Sequence, residues 1–140
     1  MAKSPKSTAS NKVFGGTALE AGTYIISKAI VSEDTANIGG TDVTYDALHI
    51  EVKTEAGVEV EATLSLNGCW RPRRGEDGKK YQASGSFYDQ VLGACRGRSF
   101  DATRDWINAN LVGKKIAVAY TDYPSQSGGW SRVPIVNVLP

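Results

Sequence analysis

Basic and aromatic side chains are interleaved within residues 70–81 of this chain. The residues concerned are Trp70, Arg71, Arg73, Arg74, Lys79, Lys80 and Tyr81. Lysine and arginine bind phosphate groups, and arginine does so through paired hydrogen bonds. Unpaired bases stack on flat aromatic side chains, and each stack contributes roughly 1–3 kcal/mol whatever the base. The pattern therefore predicts a binding site for single-stranded nucleic acid.

A second group of the same kind follows near the C-terminus, where Tyr123, Trp130 and Arg132 flank the Gly-rich residues 124–129. These side chains predict a second stacking surface. A structural alternative stays open for both groups. A charged, Gly-rich segment is often only a solvated loop, and Trp70 and Trp130 can instead anchor the core at strand ends.

The formal net charge of the chain is +1, which is unlike the strongly basic histone-like proteins. The charge is unevenly distributed, however. Residues 33–61 hold eight acids and one base, whereas residues 69–104 hold eight bases and four acids. A nearly neutral total thus conceals an acidic first half and a basic middle, and a local basic surface is compatible with it.

The residue patterns of common enzymes are missing from the sequence. There is no G-x-S-x-G nucleophile elbow and no phosphate-binding G-x-x-x-x-G-K-[ST] loop. His49 lies in an alternating apolar and polar run, on the side opposite Leu48 and Ile50, which predicts an exposed strand histidine. We therefore expect no catalytic residues and a binding function rather than an enzymatic one.

Metal and cofactor sites are not expected either. Cys69, Cys95 and His49 supply at most three Cys or His ligands, and none of them stands in a CxxC or CxxH pattern. The acids of the predicted strands fall on the solvated face. The two cysteines are predicted to be buried thiols in a reducing compartment, and no disulfide is predicted.

Local patterns predict a mostly β domain. Strict alternation predicts strands at residues 48–53 and 58–66 joined by a hairpin turn at 54–57. Further strands are predicted at 23–31, 116–121 and 133–138, a loop at 32–42, and a long loop or a ragged hairpin at 67–85. A helix is predicted after Ser86, which starts an S-x-x-D capping box with Asp89, and a second over 102–110 capped by Asp101. Pro134 predicts an edge position or a bulge for the last strand.

The polar residues 1–12 predict a flexible, mildly basic tail, and residues 13–140 a single domain. No apolar run approaches the roughly 20 residues of a membrane span, and no apolar stretch of a signal peptide follows the N-terminus. The expected location is the cytoplasm, with no membrane partner.

The predicted order, with a helix or two short helices between strands three and four, is that of a five-stranded OB-like barrel. Residues 21–29 (AGTYIISKA), 111–118 (LVGKKIAV) and 132–138 (RVPIVNV) resemble segments of phage-encoded single-stranded DNA-binding proteins.

The resemblance implies non-specific binding of single-stranded DNA in replication or recombination, in the host cytoplasm. The sequence leaves the oligomeric state open, and a homo-oligomer is one alternative. It assigns the binding to the bases and aromatics of residues 70–81. Many such proteins carry an acidic C-terminal tail, whereas this chain ends on Val138-Leu139-Pro140. The alternative function is that of a small structural virion protein, such as a capsid or tail adaptor.

Overall fold

The described part of the chain consists of antiparallel β-hairpins and one pair of helices. The computed structural model describes residues 19–66, 72–126 and 128–140, so the predicted tail of residues 1–12 lies outside the described part. The elements are β1 (Gly22–Ile38), β2 (Thr41–Thr54), β3 (Glu59–Ser65), β4 (Arg73–Arg74), β5 (Lys80–Tyr81), α1 (Ser86–Cys95), α2 (Phe100–Asn110), β6 (Lys115–Pro124) and β7 (Trp130–Val138).

Five strands form one antiparallel sheet in the order β3-β2-β1-β6-β7, and β4 and β5 form a separate two-stranded hairpin. The mostly β class and the two helices before the last two strands are thus confirmed. The predicted five-stranded barrel is wrong in two respects, because the described residues contain more than five strands and form no closed barrel. Local alternation can predict strands, but it does not contain the long-range pairing that closes a barrel.

β1 and β2 form a far longer hairpin than the sequence predicted. Their register runs from Tyr24 opposite Thr54 to Ile38 opposite Thr41, so the predicted loop at 32–42 is wrong. The chain reverses at Gly39 and Gly40, whose φ angles of 60° and 86° suit a two-residue hairpin turn. The outer part of the hairpin is exposed on both faces and therefore lacks the apolar alternation by which strands are recognised.

The next hairpin matches its prediction. The Gly57 N–H donates to the Thr54 carbonyl (2.8 Å), and the Val58 N–H donates to the Thr54 hydroxyl (3.1 Å). These bonds close the turn between β2 and β3 at the predicted residues.

The two helices cover one face of the sheet and enclose the core. Its largest members from the sheet include Ile26, Leu48, Ile50, Val52 and Ile116, and those from the helices are Phe87, Tyr88, Val91 and Ile107. The Asn108 side chain fastens α2 to β1, because its amide accepts from the Ala29 N–H (2.8 Å) and donates to the Ala29 carbonyl (3.2 Å). In the described part of the chain, no helix is long and apolar enough to cross a membrane.

Both predicted helix caps are wrong. α1 starts after Gly85 without a side-chain cap, because the Ser86 hydroxyl instead accepts a hydrogen bond from the Val138 N–H (2.8 Å). α2 is capped by Ser99, whose hydroxyl accepts from the Ala102 N–H (3.1 Å), rather than by Asp101. Cys95 at the end of α1 is a buried free thiol, and Cys69 lies outside the described residues.

The last strand, β7, is an edge strand of the sheet, as Pro134 predicted. Its outer side is covered by the residues before α1. The Ser84 N–H donates to the Pro134 carbonyl (3.2 Å), and the Val136 N–H donates to the Ser84 carbonyl (2.9 Å). Gly85 lies so close to β7 that an added Cβ would stand 2.1 Å from the Val136 carbonyl oxygen.

Gly85→Ala is therefore expected to destabilise the fold. The methyl group would meet immobile backbone, and the φ of 109° at this position is costly for any L side chain. We expect the free energy of unfolding to fall by at least about 2 kcal/mol, measured by urea denaturation. The matched control is Gly93→Ala in α1, where nothing lies within 4 Å of the added Cβ. It should gain roughly 0.5–1 kcal/mol, and an equal loss in both variants would contradict the close approach.

Candidate nucleic-acid interface

The β4–β5 hairpin carries most of the predicted basic residues. Arg73 pairs with Tyr81 and Arg74 with Lys80. The Gly75 N–H donates to the Lys79 carbonyl (2.9 Å), which continues the pairing towards the turn. The side chains of Arg73, Arg74, Lys79 and Lys80 are all exposed. Residues 73–81 thus present four cations on a short ribbon.

Asp77 organises the turn of this hairpin. One carboxylate oxygen accepts from the Tyr81 hydroxyl (2.7 Å), and the other accepts from the Lys79 N–H (3.0 Å). The Tyr81 bond, followed by the Lys79 bond, lowers the pKa of Asp77 below its usual value, and the same bond raises the pKa of Tyr81. The carboxylate therefore stays ionised and fixes the position of the Tyr81 ring.

The hairpin is held against the β6–β7 pair. The rings of Tyr81 and Tyr123 stack with centroids 4.5 Å apart at an angle of 15°. The Glu76 N–H donates to the Pro124 carbonyl (2.8 Å). A Cβ on Gly75 would stand 2.7 Å from the Tyr81 ring and 2.9 Å from the Pro124 carbonyl oxygen, so this close approach requires glycine.

Tyr123 is only 4% exposed, and its ring lies against Tyr81. In this position it supports Tyr81 rather than offering a free surface of its own. Tyr81 itself is half-buried, so part of its side chain remains accessible to solvent.

A second group of side chains lies at the same end of the β6–β7 pair. Trp130, opposite Pro124 in the register, is 74% exposed. The Arg132 guanidinium lies 5.3 Å from the centre of the Tyr120 ring and 3.6 Å from an Asp122 carboxylate oxygen. A cation over an aromatic face is attracted by the ring's electrons, and the ion pair partly neutralises Arg132.

The two groups are on opposite faces of the β6–β7 pair. Residues directly opposite one another in an antiparallel pair share a face, and successive residues alternate. Tyr123, on which Tyr81 stacks, therefore faces one way, whereas Arg132 and Trp130 face the other. Pro124 links them, because it pairs with Trp130 and accepts the hydrogen bond from Glu76.

The structure thus brings eight of the predicted site residues to one end of the sheet, on two faces. They are Arg73, Arg74, Lys79, Lys80, Tyr81 and Tyr123 on the hairpin side, and Trp130 and Arg132 on the other side. Trp70 and Arg71, the other two predicted residues, lie outside the described residues.

The prediction of an exposed His49 is wrong. Its side chain is 0% exposed. The predicted alternation fails here, since β2 is buried on both faces from Ala47 to Ile50. The His49 ring contacts the Ser32 hydroxyl (Nε2 to Oγ, 3.1 Å), and Ser32 donates to the Asp34 carboxylate (3.1 Å). No motif in the sequence indicates this buried cluster.

The cluster differs from a hydrolase triad in its geometry. In a triad the carboxylate holds one ring nitrogen and the serine lies at the other. Here Asp34 Oδ2 lies 3.8 Å from Nε2, the same nitrogen that contacts Ser32, and His49 and Asp34 are both buried. Burial lowers the pKa of His49 to about 4 and raises the pKa of Asp34, so the imidazole is neutral at pH 7.

No family model, characterised protein or solved structure matches this chain. The function must therefore be inferred from the chain's own residues and their geometry.

The buried His49 predicts a loss of stability in mild acid. In the unfolded chain His49 is protonated below about pH 6.5, whereas in the folded protein it is protonated only below about pH 4. The free energy of unfolding therefore falls as the pH drops through this window. We expect a loss of roughly 2–3 kcal/mol from this group, measured by urea denaturation across the window.

Asp34 opposes this trend at the acid end, since its raised pKa favours the folded state once it is protonated. The control is His49→Gln, which keeps a polar side chain but cannot titrate. Its unfolding free energy should depend much less on pH than that of the wild type. Equal pH dependence in both proteins would exclude His49 as the cause.

Proposed function

We propose that this protein binds single-stranded DNA without sequence specificity and acts in replication or recombination. The observation that carries the proposal is the fixed hairpin of residues 73–81, which presents four exposed cations beside an aromatic stack at the end of the sheet. The exposed Trp130 lies at the same end. Cations for the backbone and flat rings for the bases are the two elements that a sequence-independent single-strand site requires.

The charge of the hairpin supports phosphate binding. Residues 72–81 contain four bases and two acids, and one of those acids, Asp77, is engaged within the turn. Arg74 donates to the Gly78 carbonyl (2.8 Å), which holds the guanidinium near the turn. The local excess of positive charge stands in a chain of net charge +1, so attraction of an anion would be directed to this end.

Each face of the β6–β7 pair presents one aromatic side chain on which a base could stack. Trp130 offers a largely free indole, and Tyr81 offers the part of its ring that Tyr123 does not cover. Arg132 lies over Tyr120 and adds a cation beside Trp130. We infer that the strand passes around the end of the β6–β7 pair, from the basic hairpin to Trp130.

The strand order lends further support. Three strands, two helices and two strands in the order β3-β2-β1-β6-β7 parallel the order of elements in OB-type folds, which commonly bind single strands. We propose that the sheet is an open variant of that arrangement, with the β4–β5 hairpin inserted before the helices.

Removing two hairpin charges should weaken binding. For Lys79→Gln/Lys80→Gln we expect at least a tenfold loss of affinity for labelled oligo-dT at low salt, estimated from about 1.4 kcal/mol in all for two phosphate contacts. The slope of log affinity against log salt should become shallower by about 1.4, since each contact with a single strand contributes about 0.7. Fluorescence anisotropy over a salt series measures both.

The matched control is Arg96→Gln/Arg98→Gln, which removes two exposed charges between α1 and α2. Its affinity and salt slope should stay close to those of the wild type. If the wild type fails to bind oligo-dT even at low salt, the proposed function is wrong. If the two double variants lose affinity equally, the hairpin is not the site.

Trp130 should act through its ring. For Trp130→Ala we expect a loss of 1–3 kcal/mol in binding, or about 5- to 150-fold, whereas Trp130→Phe should retain most of the affinity. Quenching of tryptophan fluorescence by oligo-dT should shrink in both variants, since the stacking indole is gone. The control is Trp106→Phe on α2, whose indole is half-buried. Unchanged affinity and quenching in Trp130→Ala would remove Trp130 from the site.

A further inference from the structure

The outer part of the β1–β2 hairpin projects from the sheet as a two-stranded arm. β1 pairs with β6 only from Gly22 to Ile25 but continues to Ile38. Among the described residues no strand pairs with the outer edge of β1 from Ile30 onwards. Two-stranded ribbons are at best marginally stable in water, and a free strand edge readily receives another chain.

The arm carries an excess of acids. Its residues 30–49 contain four acids and no lysine or arginine, and one of the four, Asp34, is buried. Glu33, Asp42 and Asp46 are exposed, and the register places them on one face of the arm. On the other face, near the tip, Ile38 is 64% exposed and Val43 is 39% exposed. The arm thus combines carboxylates with a small apolar surface.

This charge pattern selects the kind of partner. An identical acidic arm would be repelled, since like charges on adjacent strands are destabilising. A short basic ribbon would be attracted, because arginine and lysine form charge-assisted hydrogen bonds with carboxylates as they do with phosphates. The β4–β5 hairpin is such a ribbon, with Arg73, Arg74, Lys79 and Lys80 exposed.

One molecule cannot make this contact with itself. β1 and β6 are antiparallel, so β1 extends from their paired region in one direction and β6 in the other. From Ile25 β1 runs for about 40 Å of strand to the tip of the arm, and from Val118 β6 runs for about 20 Å in the opposite sense to the hairpin. The acidic arm and the basic hairpin are therefore at opposite ends of the sheet.

We propose that the acidic arm of one molecule docks on the basic hairpin of a second copy of this chain. Because the two surfaces differ, the contact is arm-to-hairpin: it closes as a dimer when two antiparallel molecules each place their arm on the other's hairpin, and it otherwise repeats head-to-tail into larger assemblies. It occupies the cations of the proposed DNA site, so single-stranded DNA and the arm compete for the hairpin. This last step rests on the proposed function, whereas self-association does not.

Sedimentation velocity of the full chain at low salt provides the test. We expect the weight-average mass to rise with concentration to at least about twice the monomer mass and to return to the monomer mass at high salt. Glu33→Gln/Asp42→Asn should remove most of this increase. The matched control, Glu59→Gln/Glu61→Gln, removes two exposed charges from β3 outside the arm and should behave like the wild type.

Charge exchange tests which surfaces meet. Glu33→Lys/Asp42→Lys and Lys79→Glu/Lys80→Glu should each be monomeric alone, because each presents like charges on arm and hairpin. Their mixture should associate again. A mixture of Glu59→Lys/Glu61→Lys with Lys79→Glu/Lys80→Glu has the same net charges and controls for unspecific attraction. Association in both mixtures alike would overturn the assigned surfaces.

The outcomes for the two proposals are distinguishable. A wild type that stays monomeric at every concentration overturns the docking proposal, whether or not it binds oligo-dT. Self-association that depends on the arm, without binding of oligo-dT, supports docking and overturns the proposed function. If oligo-dT binds but leaves the assemblies of several molecules intact, the proposed competition between DNA and the arm is wrong. Release of monomers by oligo-dT supports both.

Discussion

The residues before α1 are fastened to the β6–β7 pair at two places, and the arrangement of the candidate site depends on this attachment. At the first place Gly75 and Glu76 lie on Pro124, and at the second Gly85 lies against Val136. Between these two places the Tyr81 ring stacks on Tyr123. α1 starts immediately after the second place, and its packing on the sheet is therefore set by the same contact. Two glycines thus couple the basic hairpin to the hydrophobic core.

Much of this architecture could be predicted from local patterns. The alternation in β2 and β3, the turn at 54–57 and the two helices follow from residue spacing, and the basic segment of the site is visible in the sequence. The attachment is different in kind. Tyr81 and Tyr123 are distant in the chain, and the close approaches at Gly75 and Gly85 depend on backbone atoms of other elements. The predicted cap of α1 failed for the same reason, since the Ser86 hydroxyl accepts a tertiary hydrogen bond from β7. The cap of α2 is a local bond to Ser99, and the prediction placed it two residues too late.

The failures on β1 and β2 have a different cause. Alternation of apolar and polar residues indicates a strand with one buried and one solvent-exposed face, and the β1–β2 hairpin departs from this pattern in two ways. Its outer part is exposed to solvent on both faces, so its sequence lacks apolar alternation and resembles that of a loop. Around His49 it is buried on both faces, so a polar residue expected in solvent is enclosed instead. A neutral imidazole with its pKa near 4 is the electrostatic consequence of that enclosure.

The near-zero net charge of the chain conceals two oppositely charged surfaces at the ends of one sheet. Such a molecule is dipolar, so its field orients an approaching anion towards the hairpin and an approaching cation towards the arm. If the arm and DNA compete for the same cations, the length of the DNA decides the balance. The arm offers a few carboxylates, whereas each added nucleotide brings another phosphate and another base to stack. Short oligonucleotides would then have to displace an arm of comparable charge, and long strands would displace it with a large excess of contacts. In the proposed scheme, the acidic arm thereby sets a minimum length for the strand that this protein retains.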